Sequence, residues 1–228
     1  MQLSRLESEF LEELKKNTLV VFSVKDLSLL MQRNVYNILR QLKKKKILQK
    51  VGNKYALQTT DELIIASNIT YPCYISCWSA LSYYGLSDQI PKVIFVASTR
   101  KHKNYASIKF ITISKNRFFG YTVIGPLVIA EKEKAIIDSL LFPQYSGGMT
   151  EIVRVIRTKD YDLQKLINYA KKTGSKGTLR RLGYILDYLA IADLKFTLGK
   201  GYELFDPTKN KANNFNKKWL LDVNNDIA

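Results

Sequence analysis

The chain has 228 residues and carries 36 Lys and Arg against 20 Asp and Glu, which gives a formal net charge of +16. This length accommodates one large domain or two small ones with a sizeable hydrophobic core. The charge favours a polyanionic partner: nucleic acid first, then an acidic membrane surface or an acidic protein. A generally basic proteome is the alternative explanation of the same excess.

The cysteine and histidine content narrows the possible chemistry. Cys73 and Cys77 are the only cysteines and His102 is the only histidine, which excludes a disulfide framework and Cys/His zinc sites. The first residues, MQLSRLESEF, lack the apolar core of a signal peptide, and no apolar run approaches the ~20 residues that span a bilayer. We therefore expect a cytoplasmic protein with reduced thiols, no membrane segment, no metal and no cofactor.

The N-terminal pattern predicts three helices followed by a hairpin. Apolar spacing predicts an amphipathic helix over residues 3–16, and Ser23 is placed to cap a second helix that runs to Leu30. Residues 31–33 form a turn before a third helix that ends near Lys46, and two strands follow around Val51-Gly52-Asn53. Four glutamates of the first helix are expected to face solvent: Glu7, Glu9, Glu12 and Glu13. Helix, turn, helix and basic hairpin in this order are the layout of a winged helix-turn-helix.

The exposed face of the third helix predicts DNA binding. Its other side chains are long and rich in hydrogen-bond donors, the types that contact base edges and phosphates, and the hairpin adds cations for the backbone. The predicted DNA-binding residues are Arg33, Asn34, Tyr36, Asn37, Arg40, Lys43, Lys44, Lys50, Asn53 and Lys54. Taken alone, the lysine run 43–46 is also typical of a solvated helix end, where cations favour the dipole.

After residue 59 the sequence becomes more apolar and aromatic, which predicts two domains, 1–59 and 60–228, in a mixed α/β protein. Strands are predicted at 73–75, 93–98, 108–113, 121–124 and 127–129, with basic residues 100–103 at a hairpin tip. Helices are predicted at 61–67, 76–84, 131–141, 149–157, 162–173 and 177–190. Residues 202–205 and 218–223 are expected to pair as a terminal hairpin.

No catalytic constellation is apparent, so we do not predict an enzyme. The sequence has neither a GxxxxGK[ST] phosphate loop nor a GxGxxG motif after a strand. A metal-dependent nuclease is kept as an alternative, because Glu131, Glu133, Lys134 and Asp138 cluster in one predicted helix. Strand-borne acids followed by a lysine, which such an enzyme needs, are absent from the sequence.

A second basic region follows in the C-terminal helices. It is either a solvated helical surface or a second contact for an anionic partner, and a protein–protein module that binds an acidic partner is a further alternative. Arg180 and Arg181 follow a Gly-Ser-Lys-Gly turn near a helix N-terminus, where donors gather around anions. The residues of this region are Arg154, Arg157, Lys171, Lys172, Lys176, Arg180 and Arg181.

Four stretches of the second part resemble the AbiEi family, the antitoxin half of abortive-infection toxin–antitoxin pairs. They are YISCWSALSYYGLSDQIPKVIFVAS at 74–98, EKAIIDSLLFPQYSGGMTEIVRVI at 133–156, LRRLGYILDYL at 179–189 and KWLLDVN at 218–224. The N-terminal segment is similar to the DNA-binding domain that such proteins carry. Cys77 departs from the His of many relatives, which argues against a catalytic or metal role at this position.

The resemblance implies a transcriptional autorepressor that binds inverted repeats in its own promoter and opposes a nucleotidyltransferase-type toxin. The partners would be double-stranded operator DNA, bound as monomers or as a homodimer, and functionally the cognate toxin. Members of this family often act without a stable complex with the toxin, so direct binding is not implied.

Overall fold

The structure is a computed structural model that describes residues 2–105 and 107–226. Its first two helices begin with reciprocal capping hydrogen bonds. The side chain of Ser4 accepts a hydrogen bond from the Glu7 N–H while the Glu7 carboxylate accepts one from the Ser4 N–H, and Ser23 and Asp26 repeat the arrangement. The predicted helices are present as α1 (Arg5–Lys16), α2 (Val24–Met31) and α3 (Tyr36–Lys44), with the short strand β1 (Val21–Phe22) between α1 and α2.

A three-stranded antiparallel sheet completes the N-terminal part. Strands β2 (Leu48–Val51) and β3 (Lys54–Leu57) form the predicted hairpin, and the sheet order is β1-β3-β2. Gly52 has φ +63°, a left-handed conformation that glycine adopts without strain. Apolar side chains of α1, α2, α3 and the sheet bury one core, among them Phe10, Phe22, Leu27, Leu39, Leu42 and Leu48.

Glu7 corrects the prediction that the glutamates of α1 face solvent. Only 4% of this residue is exposed, and its carboxylate lies 2.6 Å from the Lys45 ammonium. The hydrogen bond from Lys45 and that from the Ser4 backbone lower the pKa of the Glu7 carboxyl. An ion pair between α1 and the residue after α3 therefore closes one edge of the N-terminal core.

A five-stranded mixed sheet lies at the centre of the second part. Helix α4 (Glu62–Asn68) precedes it, and α5 (Cys77–Tyr83) lies between its first two strands. The strands are β4 (Cys73–Ile75), β5 (Ile94–Ser98), β6 (Ile108–Thr112), β7 (Tyr121–Ile124) and β8 (Leu127–Ala130), in the order β6-β5-β4-β8-β7.

Strands β5 and β6 pair in parallel, with Ile94 opposite Ile108 and Ser98 opposite Thr112. The prediction that residues 100–103 form a hairpin tip is therefore wrong. A hairpin joins antiparallel strands, whereas a parallel pair requires the chain to return along the whole strand. Over residues 99–105 and 107, this return contains no helix.

Helix α6 is the centre of the helical layer. It packs against α5, α7, α8 and α9, and residues 133–140 are all buried. The helices of this layer are α6 (Lys132–Leu141), α7 (Met149–Arg157), α8 (Leu163–Lys172) and α9 (Lys176–Tyr188). Their bounds agree with the sequence predictions to within a few residues.

The C-terminal pairing differs from the predicted hairpin. Strand β9 (Glu203–Leu204) pairs in parallel with β11 (Leu221–Asp222), and β10 (Phe215–Asn216) pairs antiparallel to β11 on its other side. The strand at 215–216 lies between the two segments that were predicted to pair. The fold as a whole is mixed α/β, as predicted. Over residues 2–105 and 107–226, none of the helices has the length and apolarity that crossing a membrane requires.

Candidate nucleic-acid interface

Helix α3 is amphipathic and presents one polar face to solvent. Ile38, Leu39 and Leu42 bury the opposite face in the N-terminal core. The exposed side chains of α3 are Tyr36, Asn37, Arg40, Gln41, Lys43 and Lys44. Its sequence, YNILRQLKK, contains no acidic residue, so the face is uniformly cationic or neutral. Tyr36 is 64% exposed, which leaves its ring free for an external contact.

Two of the predicted DNA-binding residues precede α3 instead of lying on it. The Arg33 guanidinium donates to Glu9 Oε1 at 2.7 Å, in an ion pair between α1 and the turn. The Asn34 side chain accepts a hydrogen bond from the Tyr36 N–H at 3.0 Å and so orders the start of α3. Both side chains already have local partners, which separates them from Asn37 and Arg40 further along the helix.

The hairpin places its cations beside the helices. Lys50 and Asn53 are exposed and Lys54 is half-buried. The pKa of the Asp26 carboxyl is lowered, mainly by the Ser23 backbone N–H and in part by the charge of Lys54. The charge of Lys54 therefore acts on the first turn of α2.

The lysine run at the end of α3 is not uniform. Lys43, Lys44 and Lys46 are exposed, whereas the Lys45 ammonium donates to the Glu7 carboxylate at 2.6 Å and to the Gln2 carbonyl at 3.1 Å. Lys45 is thus a structural cation, and its neighbours at 43 and 44 retain free ammonium groups on the predicted interface.

Arg180 and Arg181 correct the prediction of a second cationic surface, because both are buried. The Arg180 guanidinium donates to the Leu198 carbonyl at 2.7 Å and to Glu203 at 3.2 Å. Arg181 donates to the carbonyls of Leu140, Leu204 and Phe205. These bonds tie α9 to α6 and to the C-terminal strands, so neither arginine faces an external anion.

The other five residues of that region are exposed: Arg154, Arg157, Lys171, Lys172 and Lys176. The Arg154 guanidinium lies 2.8 Å from Glu151, and the Lys172 ammonium lies 4.3 Å from the centre of the Phe119 ring. They are distributed over α7, α8 and α9. These exposed side chains form a partly neutralised cationic helical surface, and its use as a second contact for an anionic partner stays a prediction.

Comparisons with known proteins bear on the fold. No family model matches the chain, and no curated protein matches it. Among solved structures it is similar to the crystal structure of the RV2827C protein from Mycobacterium tuberculosis, with a TM-score of 0.68 over 96% of this chain and 92% of that chain. The sequence identity is 14%, so this likeness shows a shared fold alone. The resemblance to the AbiEi family stays a prediction.

The acidic residues of the nuclease alternative are held by cations and hydroxyl groups. Asp138 is 1% exposed; it pairs with the Lys134 ammonium and accepts hydrogen bonds from Tyr74 at 3.0 Å and Ser76 at 2.7 Å. Glu131 and Glu133 share the Lys165 ammonium, at 3.3 and 3.2 Å. Within the described part of the chain, no three His, Cys, Asp or Glu side chains converge as a metal site would require.

Both cysteines are free, as expected of reduced thiols, and both are buried. Burial raises the pKa of the Cys73 thiol to about 12, against the opposing effects of a Thr70 hydrogen bond and the charge of Lys54. Burial also raises the pKa of the Cys77 thiol. Neither thiol is therefore ionised near neutral pH, which leaves them as apolar packing groups.

Proposed function

We propose that residues 2–57 form a winged helix that binds duplex DNA through α3 and the β2–β3 hairpin. The order of elements supports this: helix, strand, helix, helix and then a hairpin that pairs with the first strand. In this arrangement α3 is the recognition helix and the hairpin, hereafter the wing, lies beside it.

The observation that carries the proposal is the composition of the exposed face of α3. Asn37 and Arg40 are exposed and lie on one side of the helix, three residues apart. Asparagine recognises adenine and arginine recognises guanine through paired hydrogen bonds in the major groove. Lys43, Lys44 and the wing lysines supply cations for phosphates on either side.

We further propose that the protein is a transcriptional autorepressor and the antitoxin of a toxin–antitoxin pair. This part rests on the AbiEi-like stretches of the second region, and it assigns the operator to inverted repeats in the protein's own promoter. The toxin would be a nucleotidyltransferase-type enzyme, opposed with or without direct binding.

The DNA-binding proposal is tested with a labelled fragment of the upstream region and a scrambled fragment of equal length. The wild type is expected to shift the upstream fragment at lower concentration than the scrambled one. The Asn37→Ala, Arg40→Ala double variant is expected to lose this preference while it keeps weak non-specific binding. Equal binding of both fragments by the wild type contradicts the proposal.

The antitoxin proposal needs a separate experiment. A nucleotidyltransferase-like gene is expected next to the gene of this chain; its expression is expected to arrest growth, and co-expression of this chain is expected to restore growth. The double variant of α3 serves as a control, because antitoxin action by the second region does not require DNA binding. Growth arrest that the wild-type chain fails to relieve contradicts the antitoxin assignment.

A further inference from the structure

The return loop between β5 and β6 carries a cluster of cations that lies outside the proposed DNA interface of α3 and the wing. Its sequence from Thr99 to Asn104, TRKHKN, contains Arg100, Lys101 and Lys103, all exposed. We call residues 99–104 the basic loop. Because β5 and β6 are parallel, the chain must travel back along the sheet edge, and this path brings it to the wing.

The wing and the second region are in direct contact next to this loop. A Cβ added to Gly52 would lie 2.5 Å from the Tyr105 ring, so the ring packs directly on the wing turn. Val51 packs against the core of the second region. A cavity of about 410 Å³ between the two is lined by residues of both, including Lys50 and Asn104. The position of the wing is therefore fixed relative to the loop.

The basic loop is anchored at its middle and at its C-terminal end. His102 Nε2 lies 3.2 Å from Ser98 Oγ and 3.4 Å from Thr70 Oγ1, and the imidazole packs on the Phe110 ring at 5.0 Å. The Asn104 side chain accepts a hydrogen bond from the Phe110 N–H at 3.0 Å. Such anchors hold the loop in place before any ligand arrives, which lowers the entropy cost of binding.

The charge of the loop comes from three residues and not from the histidine. Burial lowers the pKa of the His102 imidazole, and the charge of Arg100 lowers it further, so the ring is neutral at pH 7. The cations are Arg100, Lys101 and Lys103.

We propose that the basic loop is a second DNA contact, in which Arg100, Lys101 and Lys103 bind phosphates of the duplex that α3 and the wing hold. This inference rests on the proposed DNA binding and extends it from the N-terminal segment to the second region. The loop adjoins Tyr105, which packs on the turn of the wing, so a duplex held by the wing would pass close to the cations of the loop. Flexible exposed cations suit phosphates, which carry no sequence information, so the loop adds affinity and length of contact without base preference.

The test compares the salt dependence of binding between the full-length wild type and the Arg100→Gln, Lys101→Gln, Lys103→Gln triple variant. Each neutralised phosphate contributes ~0.9 to the slope of log K against log salt, so the variant is expected to lose about 2–3 from the slope. Its affinity is expected to fall most at low salt and to approach that of the wild type as the salt concentration rises toward ~1 M. The matched control is Lys195→Gln, Lys211→Gln, Lys217→Gln, which removes the same charge from exposed positions elsewhere and is expected to keep the slope.

A hydroxyl-radical footprint gives an independent readout. The wild type is expected to protect phosphates beyond those next to the wing, and the triple variant is expected to lose only that outer protection. Equal slopes and equal footprints for the wild type and the triple variant would overturn the inference. If Arg40→Ala weakens binding while the triple variant does not, only the basic loop assignment fails; if the wild type does not bind duplex DNA, both proposals fail.

Discussion

The cations of α3 are exposed to solvent, whereas Lys134 in α6 and Arg181 in α9 carry the same charge in the interior. Arg40 projects from α3 into solvent, whereas Lys134 in α6 and Arg181 in α9 are 0% and 8% exposed. The difference follows from the apolar period of each helix. In α3 the cations lie opposite the apolar stripe, whereas Lys134 in α6 and Arg180 and Arg181 in α9 lie on it, where internal carboxylates and carbonyls must satisfy them. A high net charge therefore overstates the number of cations that a partner meets.

The Lys134–Asp138 pair gives the largest expected effect. Asp138→Ala leaves a lysine ammonium buried without its carboxylate, which is expected to destabilise the fold by roughly 3–5 kcal/mol. Chemical denaturation followed by circular dichroism measures this loss. Asp160→Ala is the control, because it breaks a pair with Lys132 of the same helix in which Asp160 is 58% exposed. That pair is expected to contribute about 0–1 kcal/mol. Similar losses in the two variants would contradict the distinction between buried and exposed cations.

Arg181 tests the same distinction without a second charge. Arg181→Leu keeps an apolar side chain on the buried face but leaves the carbonyls of Leu140 and Phe205 without their donors, at a cost of roughly 2–3 kcal/mol. DNA affinity per folded molecule is expected to stay unchanged, as measured by the mobility shift of the upstream fragment at low temperature. Lys176→Gln, at an exposed position of the same helix, is expected to change stability by less than ~0.5 kcal/mol. A specific loss of DNA binding in Arg181→Leu would show that this arginine contributes to DNA binding.

Local signals predicted the frame of the N-terminal segment well. Ser23 caps α2, Gly52 turns the wing, and the apolar period of α3 places Ile38 and Leu42 inside, because each feature depends on residues close in sequence. The apolar period of α9 also indicates that Arg181 is buried. It lies four residues before the buried Ile185 and therefore on the same face of α9.

The sequence pattern did not predict the contacts between residues far apart in the chain. The alternation in β6 indicates a strand, but it does not specify whether the strand runs parallel or antiparallel to β5. That choice decides whether residues 100–103 point away from the molecule at a hairpin tip or return beside the wing. The Glu7–Lys45 ion pair was missed for a related reason, since its partners are 38 residues apart and only the packing of α1 near α3 brings them together.

Arg40 and Arg33 allow a comparison between an exposed and an ion-paired arginine within the proposed DNA interface. Arg40→Ala is expected to weaken binding of the upstream fragment by about 1–3 kcal/mol, because its guanidinium is free to contact a base. Arg33→Ala is expected to cost less, since that guanidinium is already held by Glu9. Fluorescence anisotropy with the labelled fragment measures both affinities. A larger loss for Arg33→Ala would show that the Glu9 pair opens on the DNA and that the turn contributes to recognition.

Lys45 belongs to the lysine run 43–46 by sequence, but in the fold it is paired with Glu7. The pH dependence of stability distinguishes this paired lysine from its solvated neighbours. The pKa of the Glu7 carboxyl is lowered in the folded protein, first by its hydrogen bond from Lys45. A lowered folded-state pKa contributes stability above the ordinary carboxyl range, and this contribution is lost as the pH falls through the folded value. The free energy of unfolding is therefore expected to fall less steeply below pH ~4.5 in Glu7→Gln than in the wild type. Lys44→Met, which removes the exposed neighbour, is expected to keep the wild-type pH dependence. Identical curves for Glu7→Gln and the wild type would place Lys45 with the solvated lysines and leave four cations at the end of α3 available to DNA.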